Sequence, residues 1–399
     1  MDAYAAFRSR DYRFLTVANL FSTLGLQMLW VAVSWDLYIA THSATVLGNV
    51  GLVQVAPFLI FALFAGHIAD RYDRRRTMIA TQVLFLAASL VLAFGARSVA
   101  LIYSCLFVTA SCRAFQGPAR SAALPLIVPV EDVRNAVTWN SSVQELASVS
   151  GPALAGILIA AQGTRLVYSV QAFCAIAVLV SFALLRLRPA PVDPEDAKPP
   201  ALRAIAEGIR FVWRDRLILP AISLDLFAVL FGGATALLPI YAVEILHGNA
   251  HALGWLRSAP AIGAVSMALA TAHRPHVHHA GKMMLWGVAG FGLATIVFGV
   301  SRSFWLSFAM LVLTGAFDNI SVVLRQSLVQ TQTPYRVRGR VLAVNNIFIS
   351  CSNQLGAVES GLAAAWLGAV GSVVLGGAAT LAIVGGFAFG SKTLRNWRQ

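Results

Sequence analysis

Charge is scarce in this sequence. Only 12% of its 399 residues are Asp, Glu, Lys or Arg, against 58% hydrophobic ones, and its mean hydropathy is +0.72. So little polar surface cannot coat a soluble globule, which excludes a water-soluble enzyme or binding domain. Acids are the scarcer sign, 17 against 30 Lys and Arg, for a net charge of +13. That excess is spread along loop edges, where anionic headgroups attract it, and this argues against a nucleic-acid partner. Lysine is nearly missing. Lys198, Lys282 and Lys392 are the three, and none stands in a Gly-x-x-x-x-Gly-Lys-Ser/Thr phosphate loop. Hydrolysis of ATP is therefore unsupported, and energy is expected from a gradient. The four cysteines, Cys105, Cys112, Cys174 and Cys351, fall in or beside apolar runs and imply no disulfide framework. No nucleophile–base cluster or metal-ligand pair lies within those runs, so the chain is expected to be no enzyme and to need no cofactor or metal. The first run lacks a small-residue cleavage site and is too long for a signal-peptide core, so it is expected to remain as an anchor.

What the chain does have is apolar length. Runs lie near 14–40, 47–69, 77–96, 99–117, 136–161, 166–185, 217–243, 252–272, 283–300, 303–324, 341–366 and 369–390. Most approach or exceed the ~20 residues that cross a ~30 Å hydrocarbon core. The expected fold is an all-α membrane protein with twelve transmembrane helices. Among the loops, the odd-numbered ones hold only Arg97, Arg165 and Arg302 as basic residues. Basic loops stay inside, so both termini are expected to be cytoplasmic and the protein integral to the cell (inner) membrane. A Pro- and charge-rich stretch from Arg186 divides the chain into a six-helix bundle over 1–185, a linker over 186–216, and a second bundle over 217–399. Within the linker, Leu202, Ile205, Ile209, Val212 and Trp213 recur at helical spacing with Arg203, Glu207, Arg210 and Arg214 between them. This reads as an amphipathic helix in the membrane interface, or equally as a plain connector.

The halves repeat. At an offset of 205, Arg120 pairs with Arg325, Pro129 with Pro334, Asn140 with Asn345, Gly151 with Gly356 and Gly156 with Gly361. Two pseudo-symmetric six-span halves describe a transporter architecture with its substrate site between them near the midplane.

Charges inside the runs mark protein- or water-lined surface, because each costs ~2.5–3.5 kcal/mol at the bilayer centre. Runs three, six, nine and twelve have none and are expected to face lipid. Asp36, Arg113, Glu145, Asp225, Glu244, Arg257, Asp318 and Glu359 occupy the others. By depth, Arg113, Asp225 and Asp318 lie toward the cytoplasm with Glu145 nearer the middle, and the remaining four lie toward the outside. Asp318 and Arg325 are seven apart on one helix face, so pairing across helices is favoured over pairing with each other. Acids outnumber bases, and a desolvated carboxylate can exchange protons near neutral pH, which fits proton coupling and a cationic or neutral substrate.

Between the second and third runs stands Gly66-His-Ile-Ala-Asp70-Arg71-Tyr-Asp73-Arg74-Arg75-Arg76. It resembles the Gly-x-x-x-Asp-Arg-x-x-Arg-Arg signature of the major facilitator superfamily. The resemblance covers nearly the whole chain and is greatest to the drug:proton antiporter branch that includes macrolide and siderophore exporters. It rests also on Val33-Ser-Trp35-Asp-Leu-Tyr38, Arg113-Ala-Phe-Gln-Gly117-Pro118, Arg325-Gln-Ser-Leu-Val-Gln330 and Arg338-Gly339-Arg340-Val341. Gly151-Pro152-Ala-Leu-Ala-Gly156 is similar to the antiporter motif Gly-Pro-x-x-Gly-Gly, with Ala155 in place of one Gly. That motif is expected to kink its helix and pack it against the second half. His273, His276, His278 and His279 stand where the first half has an acid; they read by default as a solvated basic loop, with metal binding or pH sensing as the alternative.

The resemblance implies a monomeric transporter in a lipid bilayer, exporting a small molecule in exchange for protons by alternating access. Asp36, Glu145, Asp225, Asp318, Glu359 and Arg257 are the expected proton or substrate contacts. Gly66, Asp70, Arg71 and Arg75 are the expected cytoplasmic gate, and Gly151, Pro152 and Gly156 the antiporter-like helix. Alternatives are an importer or lipid flippase on the same scaffold, or a membrane sensor that moves nothing.

Overall fold

The computed structural model describes residues 4–71, 73–95, 98–187, 201–272 and 279–397, with backbone alone for 62–71, 122, 130, 201–205, 272, 335 and 336. Every described element is helical or a turn. Six long helices come first: α1 (Arg10–Thr41), α2 (Ala44–Arg71), α3 (Arg74–Phe94), α4 (Val99–Ala123), α5 (Val133–Gln162) and α6 (Thr164–Leu184). Then follow α7 (Ala201–Arg214), α8 (Ile218–Phe231), the short α9 (Leu238–Ile240), α10 (Ala250–Ala272), α11 (Ala280–Val300), α12 (Phe304–Gln332), α13 (Tyr335–Gly390) and α14 (Lys392–Arg395). Among the described residues, 11 segments are long and apolar enough to cross a membrane. The chain is an integral, multi-span, all-α membrane protein. A helix satisfies its backbone N–H and C=O groups within one segment, as lipid, which offers them no partner, requires.

Polar side chains set the helix starts. Asp73 accepts the Arg76 N–H at 2.8 Å and opens α3; Ser98 accepts the Leu101 N–H at 3.2 Å and opens α4. The Asp215 carboxylate accepts both the Leu217 and Ile218 N–H groups, each at 2.8 Å, and opens α8. Each satisfies donors that the first helical turn leaves free. Pro57, Pro118, Pro152 and Pro260 lie inside helices, where packing from neighbouring helices compensates the lost backbone bond.

The seventh apolar run, Ile218–Ile245, is not one helix. It breaks at Gly232 and Gly233 and continues as a 3-10 turn, α9 and the π turn Tyr241–Ile245. At the other extreme, α13 has 56 residues and takes a non-helical conformation inside, at Gly368, with φ 75 and ψ 164.

The helices group into two compact units, Met1–Asp36 with Val53–Pro199, and Leu37–Leu52 with Pro200–Gln399. In the first, α3 packs on α4 and α6, and Tyr12, Leu15, Met78, Ala119, Val178 and Phe182 form a buried core. Polar bonds tie this core across helices. Tyr12 donates to the Ala136 carbonyl at 2.8 Å, Gln116 to Gln82 at 2.9 Å, and Gln82 to the Ala175 carbonyl at 3.0 Å.

In the second unit, α12 packs on α10 and α11, and α13 on α8 and α11. Gly315 faces the Pro260 carbonyl so closely that a Cβ there has no room, the small-residue contact by which membrane helices approach without a hydrophobic driving force. Helix α7 lies on α13. Val212 is buried with Ile218, Val329, Val341 and Val344, Glu207 pairs with Arg340, and Trp213 is exposed.

Candidate functional site

The most deeply buried charges among the described residues meet in the second unit. Arg325 on α12 reaches across to α8, where its Nη1 lies 2.9 Å from Asp225 Oδ2, with the two side chains 1% and 5% exposed. The same Nη1 donates to Asn345 Oδ1 on α13 at 3.3 Å. Ser321, one turn before Arg325, donates to Asp225 Oδ1 at 3.5 Å. The Arg325 Nε is buried without a hydrogen-bond partner, as is Asn319 Oδ1. Asp318 is half-buried on α12, within Coulombic reach of both Asp225 and Arg325. Two helices, α8 and α12, thus bring two carboxylates within reach of one guanidinium, and α13 adds Asn345. With both acids ionised the group carries one negative charge in excess, and taking up a proton neutralises it.

The break in the seventh run lies two turns beyond Asp225. A Cβ on Gly233 would stand 2.7 Å from the Gly356 carbonyl oxygen of α13, so the irregular backbone is wedged against that helix. The Gly232 N–H still bonds to the Ala228 carbonyl at 2.8 Å, and the Ala234 N–H to the Gly232 carbonyl at 2.7 Å. Interrupted backbone at membrane depth is tolerated where it is buried in protein or lines a water-filled cavity.

The other sequence-predicted residues are placed as follows. Asp36, on α1, accepts hydrogen bonds from Thr164 Oγ1 at 2.7 Å and Tyr168 Oη at 2.9 Å, both at the start of α6. Glu145 is exposed on α5, and Arg257 is half-buried on α10. Ser360 donates to Glu359 at 3.3 Å on α13. Glu244, in the π turn, accepts from Tyr38 Oη, which belongs to the second unit. Gly151 faces α1, where a Cβ would stand 2.7 Å from that of Gln27; Pro152 and Gly156 are buried on the same helix.

Of the gate motif, Arg75 is described. Its Nε donates to the Phe182 carbonyl at 3.2 Å and its Nη2 to the Ala183 carbonyl. A cation at the last carbonyls of α6 compensates the negative end of that helix. The side chains of Gly66, Asp70 and Arg71, and the loop residues His273, His276 and His278, lie outside the described residues. Among the described residues no group of three or more His, Cys, Asp or Glu is arranged to hold a metal.

Three features of the second unit were not singled out from the sequence as parts of a site: Arg325 as partner of Asp225, Asn345 as partner of Arg325, and the break at Gly232–Gly233. The first two carried a signal, since both are identities of the internal repeat. The two adjacent glycines in an apolar run were the signal for the third.

A family model described as "Transmembrane secretion effector", of the MFS type, matches residues 1–399. The chain is similar to the enterobactin exporter EntS of Citrobacter koseri, 27% identical over 377 residues that cover 92% of this chain and 90% of that protein. In fold it is similar to a POT family transporter crystallised with 5-aminolevulinic acid, with a TM-score of 0.76, 12% identity and 97% of each chain covered. A D-xylose–proton symporter gives a TM-score of 0.74 at 12% identity, covering 97% of this chain and 99% of that one.

Proposed function

Because the chain belongs to the transmembrane secretion effector family of MFS transporters, we propose that it exports a small, siderophore- or drug-like molecule in exchange for protons. It is a secondary-active transporter and not an enzyme. The substrate class follows the printed function of its relative, an exporter. We read α13 as two spans meeting at Gly368, which makes twelve, arranged as two six-helix bundles of 1–185 and 217–399 that rock about the substrate. The linker 186–216 and both termini are assigned to the cytoplasm, on the charge of the loops. The chain is assigned to act as a monomer.

The observation that carries the coupling is the Asp225–Arg325–Asp318 group. A proton on Asp225 removes its charge and with it the ion pair, freeing Arg325 to turn to Asp318 on its own helix. Loss of the proton restores the pair across α8 and α12. Each exchange changes which helices are tied together, and a bistable contact of this kind is what alternating access needs. Glu145 and Glu359 are assigned to the substrate path, with Asp36 and Arg257 as supporting charges toward the outside. Gly66, Asp70, Arg71 and Arg75 are assigned to the cytoplasmic gate, and Gly151, Pro152 and Gly156 to the helix that flexes.

The test is internal pH in proteoliposomes holding a proton gradient, challenged with macrolides, lipophilic cations and siderophores. Substrate-dependent collapse of the gradient is expected, absent in Asp225→Asn and Asp318→Asn while both variants still insert. Gradient collapse at the wild-type rate in the two variants would remove the acids from the mechanism.

A further inference from the structure

Counting 205 residues forward from α4 carries Arg120 onto Arg325, and also Arg113 onto Asp318. Counting back from Asp225 reaches Leu20. The second unit therefore has two acids and one arginine where the first has two arginines and no acid. The same helix position bears opposite charge in the two repeats.

The surroundings of the two arginines bear this out. They are seven residues apart, two turns or ~10.5 Å along one face of α4, and close enough for their charges to repel. The Arg113 guanidinium lies 5.7 Å from the Trp30 ring centre, and Arg113 is otherwise exposed. The Arg120 guanidinium lies 5.0 Å from the Phe182 ring centre, and its Nη1 donates to Ser22 at 3.2 Å. Its Nε and Nη2 are sealed from solvent without a hydrogen-bond partner. Where Arg325 meets a carboxylate, Arg120 meets a hydroxyl. Asn140, the repeat equivalent of Asn345, is taken up by Asn19 at 2.5 Å. Among the described residues no carboxylate pairs with either arginine.

Two cations within a membrane-spanning helix, with no carboxylate partner among the described residues, are costly unless water or an anion reaches them. Arg113 stands 14 residues into α4, ~21 Å from its first residue and two turns deeper than Arg120. That depth favours a molecule crossing the bilayer over a lipid headgroup at its surface.

We propose that Arg113 and Arg120 recognise an anionic group of the transported molecule, with Trp30 offering an aromatic face beside it. The substrate is then an organic acid, an aryl carboxylate or a similar oxyanion, in place of the cationic or neutral molecule that the surplus of acids suggested. The proposal deepens the transport reading and rests on it for the word substrate, but binding is measurable with no gradient present.

The test is equilibrium dialysis of radiolabelled salicylate against the full-length protein in phosphatidylcholine nanodiscs. Saturable binding is expected, with unlabelled salicylamide and benzyltrimethylammonium competing at least roughly tenfold less well than salicylate. Arg113→Gln and Arg120→Gln should each weaken salicylate by a similar factor, and Arg113→Lys, which keeps the charge, by much less. The wild-type competition stands even if a variant fails to fold. Equal competition by the cation, absence of saturable binding, or unchanged affinity in Arg113→Gln overturns the proposal. Displacement of salicylate when phosphatidylglycerol is added to the nanodiscs overturns it too, by assigning the arginines to lipid. Proton flux is read in a separate experiment, so failure of the anion site and failure of the coupling are distinguishable.

Discussion

Removing Arg325 leaves Asp225, 5% exposed in its side chain, as a buried charge without its cation. Breaking such a pair costs about 3–5 kcal/mol, so Arg325→Ala should lower the melting temperature of the purified protein markedly. Adding Asp225→Asn removes the stranded charge and should recover part of that loss. If single and double variants melt together, the ion pair is not what holds α8 to α12. At this scale the sequence is informative about which residues matter electrically and less so about whom they meet. Asp225 and Asp318 stand out because charge inside an apolar run is costly. The choice of Arg325 as partner was open to the extent that spacing disfavoured pairing within α12. Asp36 drew notice by the same rule, yet the structure gives it two hydroxyl donors at the start of α6. An uncharged donor leaves no trace in a count of charges: Thr164 stands just before the sixth apolar run and Tyr168 within it.

Among the elements, the apolar runs give the helices, and the structure sets their starts by side-chain caps at Asp73, Ser98 and Asp215. The interruption of the seventh run left only the signal of two adjacent glycines, because it depends on what faces them. Gly232 and Gly233 would be unremarkable in an isolated helix; Phe291 and the Gly356 carbonyl crowd them in this one. Gly315→Leu is expected to keep α10 and α12 apart at Pro260, and the variant should fail to accumulate in membranes on immunoblot. Accumulation at the wild-type level would show that the helix pair can yield. Gly368→Ala is milder. Its backbone region is essentially reserved to glycine, and holding an alanine there costs about 1–3 kcal/mol, which should appear as a lower thermal midpoint with transport retained.

For the molecule as a whole, the proposed topology places position 399 in the cytoplasm and Arg302 outside. A green fluorescent protein fused after Gln399 should fluoresce, and alkaline phosphatase fused at Arg302 should be active. The reverse pair of results would invert every assignment of side. The two charge clusters carry an energetic implication at this scale. Exporting an anion while importing a proton moves positive charge inward twice per cycle, and each charge is worth ~2.3 kcal/mol per 100 mV. An inside-negative potassium diffusion potential set with valinomycin should therefore accelerate export, whereas indifference to voltage would contradict the combined reading. One last consequence belongs to Gly368. The apolar segment Val337–Gly390 offers no polar loop at that glycine where the ribosome's product could pause between its two arms. The arms must leave the translocon together as a hairpin, and Gly368 is the residue at which that hairpin first bends. A substitution there is thus a burden on biogenesis as well as on the finished protein, and slowed insertion should precede any loss of stability in a pulse-chase.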